Sequence, residues 1–352
     1  MKRFNFKTIA VMFGLLLALS ACDKKEIEVV EPEPEEPTKP PTPKPLTFFY
    51  AGYSYGTDYK AADRRAILSI NDSVVRLSPN MRSDAVAVSA VNSKEAHLTG
   101  YQVTAAGNKR AVYWKNNKIQ YLSGASKDNT GSAIHVVGSK VYIGGRVDTL
   151  NAYKLVLWTN GVASRKGCCL VQSGLNSISE SDGKPVVAGR FASNAFMFVN
   201  GMGIALAGPN TYADYIHAIG TDIYVLGKET VSASSDAAMV WKNDKEVFRL
   251  PFGDFATDVL GTMAGKDYYF VANIQKNGKR IAVVYKNKTK LYQLSHTQNL
   301  EATAIQVVAG KVYVLGNYQN GQKSTGVLWT NGKPKILFAE SKKIYLNDFI
   351  IK

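Results

Sequence analysis

An asparagine returns seven times along this chain at nearly even intervals: Asn71, Asn116, Asn160, Asn200, Asn243, Asn287 and Asn331. The spacings are 45, 44, 40, 43, 44 and 44 residues. Two positions before them stand Ser69, Trp114, Trp158, Phe198, Trp241, Tyr285 and Trp329. The residues after them are Asp72, Asn117, Gly161, Gly201, Asp244, Lys288 and Gly332, nearly all turn formers. Asn tolerates positive φ and bonds its own backbone, so each site reads as a tight hairpin between two short strands. A period in the forties with four strand signals per unit is that of a β-propeller, and seven copies set seven blades.

The copy from Ser132 to Leu170 shows the unit. Residues 133–137 read as an inner strand, 140–145 as a second, 154–159 as a third ending at Trp158, and the segment after Asn160-Gly161 as a fourth. A second landmark closes each second strand: Gly52, Gly100, Gly145, Gly189, Gly227, Ala272 and Gly316. Small residues there are expected to let neighbouring blades approach closely. Leu77, Leu122, Leu170, Leu206, Leu250, Leu294 and Leu337 end the hairpins. The aromatics before the hairpins are expected in the core between blades. The chain enters at Thr47–Gly52 as a second strand without a first, and a leftover segment, Ile344 to Lys352, follows the seventh hairpin. Pairing the two would close the ring. The expected fold is therefore all-β: a seven-bladed propeller of four-stranded antiparallel blades, closed by its N- and C-terminal strands.

Residues 1–21 stand apart. Lys2, Arg3 and Lys7 precede a short apolar run, Thr8 to Ala18, and then Leu19-Ser20-Ala21-Cys22. This resembles a bacterial lipoprotein signal, which implies cleavage before Cys22 and acylation of its thiol. Residues 22–45 carry that Cys and then a tether rich in Glu, Pro, Lys and Thr, too poor in large apolar residues to form a core. Extended, it reaches roughly 70 Å. Asp23, Lys24, Lys25 and Glu26 resemble the surface-export signal of Bacteroidetes lipoproteins; an ordinary periplasm-facing linker is the alternative. The expected location is the outer membrane of a Gram-negative bacterium, on its surface or periplasmic side. The propeller is expected over residues 46–352.

The formal charge is +15. The tether's four Lys against seven acids cancel the leader's three cations, so the propeller carries the whole +15. Lysines flanking the hairpins, such as Lys115, Lys118, Lys242 and Lys333, would discourage edge-to-edge pairing of outer strands. A basic domain also favours anionic partners, and the extracytoplasmic address points away from nucleic acid. Apart from Cys22 the thiols are the adjacent Cys168 and Cys169, either two separate thiols or a vicinal disulfide that a regular strand would not permit.

The strand pattern Val312-Tyr313-Val314-Leu315-Gly316 and the hairpin Trp329-Thr330-Asn331-Gly332, with degenerate forms in the other copies, resemble the repeat of Bacteroidetes lipoproteins read as propellers. The resemblance covers Leu46 to Lys352. It implies the fold and an envelope location, and no particular activity.

Residues directly after the small landmark are expected on the face that carries the interblade loops: Tyr53, Tyr101, Arg146, Arg190, Lys228, Asn273 and Asn317, with Tyr55, Tyr59, Tyr212 and Tyr318 nearby. Aromatics with forked and ammonium donors suit a glycan or a peptide. His135, His217 and Gln306 share one inner-strand position with Ser179 and Thr262 and are expected to line the channel; satisfied structural histidines are the alternative. His97 and His296 show no partner by spacing. No catalytic residue is assigned. Asp84, Asp214, Asp254, Asp258 and Glu301 fall in or near interblade loops, and Ser234-Ser235-Asp236…Trp241 is only a ragged trace of an Asp-box. Zinc, phosphate-loop and calcium-loop spacings are absent, so no cofactor or metal is expected. The expected function is a monomeric, lipid-anchored protein that binds a glycan or protein, touching the membrane only through its anchor. The alternatives are a polysaccharide lyase or hydrolase and an assembly scaffold.

Overall fold

The computed structural model describes residues 45–56, 60–149, 152–165, 174–232, 235–252, 255–294, 297–320, 323–339 and 343–352. The leader, Cys22, the tether as far as Lys44, Tyr59, Cys168, Cys169, Asp254 and His296 lie outside them. Residues 45–352 form one compact unit. Seven four-stranded antiparallel sheets make up seven blades. Blades 1 to 6 span residues 83–121, 129–165, 174–209, 211–251, 255–294 and 299–338. Their inner strands are Ser83–Asn92, Asn129–Val137, Gly174–Ser181, Thr211–Ile219, Phe255–Ala264 and Asn299–Val308. Blade 7 takes its inner strand, Ile344–Ile351, from the C-terminus and its other three from residues 48–76. The closing pairs run from Phe48↔Ile351 to Ser54↔Ile344, extended by Thr47 N–H to Lys352 C=O at 2.7 Å and the reciprocal bond at 2.9 Å. The described strands of all seven blades lie within residues 45–352.

The repeating Asn acts through both backbone and side chain. All seven sit at φ between 49° and 59°, the left-handed region that Asn tolerates. The side-chain Oδ1 of Asn116 accepts the N–H of Ala96 at 2.9 Å, and the backbone N–H of Asn116 donates to the C=O of Ala96 at 2.7 Å. The same pair of bonds joins Asn71 to Phe48, Asn160 to Val141, Asn243 to Ile223, Asn287 to Tyr268 and Asn331 to Val312. Each links the hairpin to the second strand just where the third strand ends. Asn200 is the exception, because Pro185 stands opposite and has no N–H.

Trp114, Trp158, Trp241 and Trp329 are all but fully buried, each packed with the preceding blade's strands. Trp158 Nε1 donates to the C=O of Leu122 in blade 1 at 3.0 Å. Where blade 7 has Ser69 instead, its cross-strand partner is Tyr50, buried and stacked near Phe349. The aromatic bulk has moved one strand inward.

The small landmark has a different cause from the one expected. Six inner strands carry a β-bulge at one equivalent place, at Val86, Ser132, Asn176, Asp214, Thr303 and Asn347. The bulge swings a carbonyl of the blade's own inner strand over the landmark. A Cβ at Gly52, Gly100, Gly145, Gly189, Gly227 or Gly316 would overlap the carbonyl oxygen of Tyr345, Asp84, Thr130, Gly174, Tyr212 or Glu301. Glycine is needed within the blade, not between blades. In blade 5 the bulge lies nearer the start of the inner strand, between Ala256 and Asp258, and Ala272 pairs regularly with Val259. That is the one blade where the landmark keeps a methyl group.

Candidate binding face and channel

The two ends of the propeller differ. Hairpins and the turns between first and second strands lie at one end, called the hairpin face. Interblade loops and the loops between second and third strands lie at the other, the loop face. A channel of about 540 Å³ runs between them, lined by all seven inner strands.

The open edges of the inner strands need hydrogen-bond partners, and side chains of the preceding blade supply them. Ser177 Oγ accepts from Ile216 N–H at 3.2 Å, and Asp348 Oδ2 from Val88 N–H at 3.0 Å. Two positions on, Ser179 Oγ accepts from Ala218 N–H at 3.3 Å. Gln306 Oε1 accepts from Ile351 N–H, and its amide donates to Phe349 C=O at 2.6 Å. His135 and His217 hold the equivalent position in blades 2 and 4 and line the same channel. Burial holds both imidazoles below their ordinary range, and the ring of Tyr215 stacks at 6.2 Å from that of His217. His97 is elsewhere: it is buried, bonded through Nδ1 to the Tyr113 hydroxyl at 2.6 Å and through Nε2 to Glu95 at 2.8 Å. Sequence spacing missed both partners, which alternate with it across two strands.

On the loop face the seven post-landmark residues form a circle, each opposite a residue at the start of its own inner strand. The pairs are Tyr53–Tyr345, Tyr101–Asp84, Arg146–Thr130, Arg190–Gly174, Lys228–Tyr212, Asn273–Asp258 and Asn317–Glu301. Asn273 and Asn317 are buried and turned into the blade junctions. Asn273 bonds both the N–H and the C=O of Ala302 at 2.9 Å. Asn317 holds Leu346 in the same way at 2.9 and 2.8 Å. Tyr318 is also buried, edge-on to Trp329 at 5.6 Å.

The other five circle positions combine cations with rings. The Arg146 guanidinium lies 4.5 Å from the Tyr153 ring, and that of Arg190 lies 4.4 Å from the Tyr212 ring. Lys228 lies 5.3 Å from the same Tyr212 ring and 3.3 Å from both Asp236 and Asp258. Tyr53 stacks on Tyr345 at 5.2 Å, with the Arg64 guanidinium 4.4 Å from its centre. Lys109 lies 4.6 Å from the Tyr101 ring. Arg64, Lys109 and Tyr345 had no repeat landmark to mark them. Tyr345 becomes visible only when the C-terminal segment is aligned with the other inner strands.

Three carboxyls at this end are shifted upward. Burial pushes Asp84 up to about 7, opposed chiefly by the Asn347 amide that donates to it at 2.8 Å. Burial and then the neighbouring Asp258 carboxylate raise Asp214 to about 7, against the Lys228 ammonium. Burial lifts Asp348 to about 6, against the two backbone N–H groups it accepts. Among the described residues no group of three or more His, Cys, Asp or Glu could hold a metal ion, and no helix is long and apolar enough to cross a membrane.

No protein-family model matches the chain, and no curated protein matches its sequence. Among solved structures the chain is similar to TolB from Acinetobacter baumannii, at 11% identity and a TM-score of 0.48, covering 86% of this chain and 66% of that one. This chain thus spans just under two thirds of that protein's length. It is also similar to dihydro-heme d1 dehydrogenase NirN in complex with DHE, at 10% identity and 0.47, covering 86% and 68%. A chain of the mitotic checkpoint complex matches at 8% identity and 0.45, covering 90% and 87%.

Proposed function

We propose that the loop face binds an anionic glycan or an acidic protein segment, and that the protein is a lipid-anchored binding module of the cell envelope. The observation that carries this reading is the run of cations set against aromatic rings around the channel mouth: Arg64, Lys109, Arg146, Arg190 and Lys228. Rings offer flat surfaces to the apolar faces of sugars, and the cations beside them bind carboxylate or sulfate groups. The net charge of the domain draws such ligands in. The test is binding to an array of neutral and acidic polysaccharides. Acidic glycans should bind, and binding should weaken steeply as salt rises. Arg146→Ala with Arg190→Ala should lower affinity at least tenfold. Binding that ignores salt and these two arginines would overturn the reading. Acylation at Cys22 is checked separately, by labelling cells with an alkyne fatty acid: the label should be lost in Cys22→Ser.

A second reading rests on Asp214. A carboxyl held near neutrality beside a second carboxylate, at a channel mouth, is what a general acid requires. A polysaccharide lyase or hydrolase would then use this corner. Asp214→Asn should abolish product release from a bound polysaccharide if that reading holds.

A further inference from the structure

The hairpin face carries a feature that protection of sheet edges does not explain. Six of the seven blades present an exposed lysine at the turn between first and second strands: Lys94, Lys140, Lys184, Lys266, Lys311 and, where the strands Ile344–Ile351 and Phe48–Ser54 meet, Lys352. These turns surround the channel, on the opposite side of each blade from its open outer edge. Blade 4 is the exception, with Asp222 there, bound to Lys242 at 2.7 Å. Exposed aliphatic side chains interleave with the cations. Val91, Val137 and Ile219 are 39 to 44% exposed three residues before these turn positions. Val162 at 73% and Met202 at 66% stand just after the outer hairpins.

Lysines and exposed aliphatic side chains on one face match the headgroup layer of an anionic bilayer. Ammonium groups pair with lipid phosphates while short apolar side chains enter the boundary beneath them. The chain path gives the same orientation. The strand Phe48–Ser54 starts at the hairpin face, where Thr47 bonds Lys352, so the polypeptide enters the domain on this side.

We propose that the hairpin face docks on a lipid bilayer and takes the phosphate headgroups of anionic phospholipids, leaving the loop face turned outward. This contact is additional to any acyl anchor, and independent of what the loop face binds.

The test uses the chain from Asp23 onward, which has neither leader nor Cys22. It is sedimented with vesicles of phosphatidylcholine alone and of phosphatidylcholine mixed with phosphatidylglycerol. Partition should favour the anionic vesicles at least tenfold and collapse at high salt. Lys94→Gln, Lys184→Gln and Lys311→Gln together should reduce it about a hundredfold, from the usual contribution of each lysine near an anionic surface. Lys276→Gln with Lys279→Gln, exposed on the loop face, should change it less than twofold. Equal partition to both vesicles, or an equal loss from the loop-face pair, would overturn the proposal. Capture by soluble heparin without partition to either vesicle would assign this face to an anionic polymer instead.

Discussion

Asn331 combines a left-handed backbone with a side-chain acceptor, and glycine can replace only the first. Asn331→Gly keeps φ but strands the N–H of Val312, which Oδ1 accepts at 2.9 Å. It should cost about 1 kcal/mol in urea denaturation. Asn200→Gly is the internal control: with Pro185 opposite, no N–H is lost, and stability should stay within about 0.5 kcal/mol. The small landmark supports a sharper contrast. Gly100→Ala pushes a methyl into the Asp84 carbonyl oxygen and should cost about 3 kcal/mol or prevent folding. Ala272→Gly relieves no clash and should cost only about 1 kcal/mol of strand entropy.

Among elements, the junction between blades is the unit of construction. A bulge leaves the carbonyl before it without a ladder partner, and the preceding blade supplies one. Ser132 donates to Leu175, Asn176 to Ala213 and Asn347 to Ala85, the latter two at 3.0 and 2.8 Å. Asn273 and Asn317 do the same from the second strand. At the junction of blades 4 and 5, where the bulge is displaced, Lys228 reaches Asp258 instead. Asn317→Ala would leave both the N–H and the C=O of Leu346 buried and unpaired, and should cost about 2 to 4 kcal/mol. Calorimetry would show this as a lower melting temperature.

These junctions also show where reading the sequence stops. Asn331 recurs in every blade because the hairpin demands it, and the Trp329 position is aromatic in six of seven because the core between blades does, so blade number and strand order follow from their spacing. The bulge depends on pairing register, and Val86, Ser132 and Asp214 share no chemistry that would reveal it. Its trace was present in the landmark, glycine in six blades and alanine in the one with a displaced bulge, but needed the register to be understood. Asn273 and Asn317 read as loop-face residues by position, and only the approach of the next blade shows them facing inward.

For the whole molecule, the buried carboxyls set a pH dependence. Asp84 and Asp214, raised to about 7 in the fold, bind more protons folded than unfolded between about pH 4 and 7. Stability therefore falls as pH rises, most steeply through the folded pKa, and levels off only about one unit above it, near pH 8. His135 and His217, lowered by burial, act in the opposite sense, but only below about pH 6.5. The carboxyl effect should stand alone from pH 6.5 to 8, where the melting temperature should drop. Asp84→Asn should flatten that drop; an unchanged slope would count against a protonated Asp84.

Ring closure is also a property of the whole. Removing residues 344–352 takes the inner strand from blade 7 and bares the edge of Phe48–Ser54. The truncated chain should melt at least about 10 °C lower, or elute as oligomers in size-exclusion chromatography. A monomer with unchanged melting would refute closure by these two strands.

The strand made first, Phe48–Ser54, waits for the strand made last. During synthesis the N-terminal segment holds an unfilled place until Ile351 arrives, some 300 residues later. The ring therefore closes only once Ile344–Ile351 is available. If the protein crosses a membrane through a narrow translocation pore, that delay keeps the blades before it threadable until Ile344–Ile351 emerges and locks the ring.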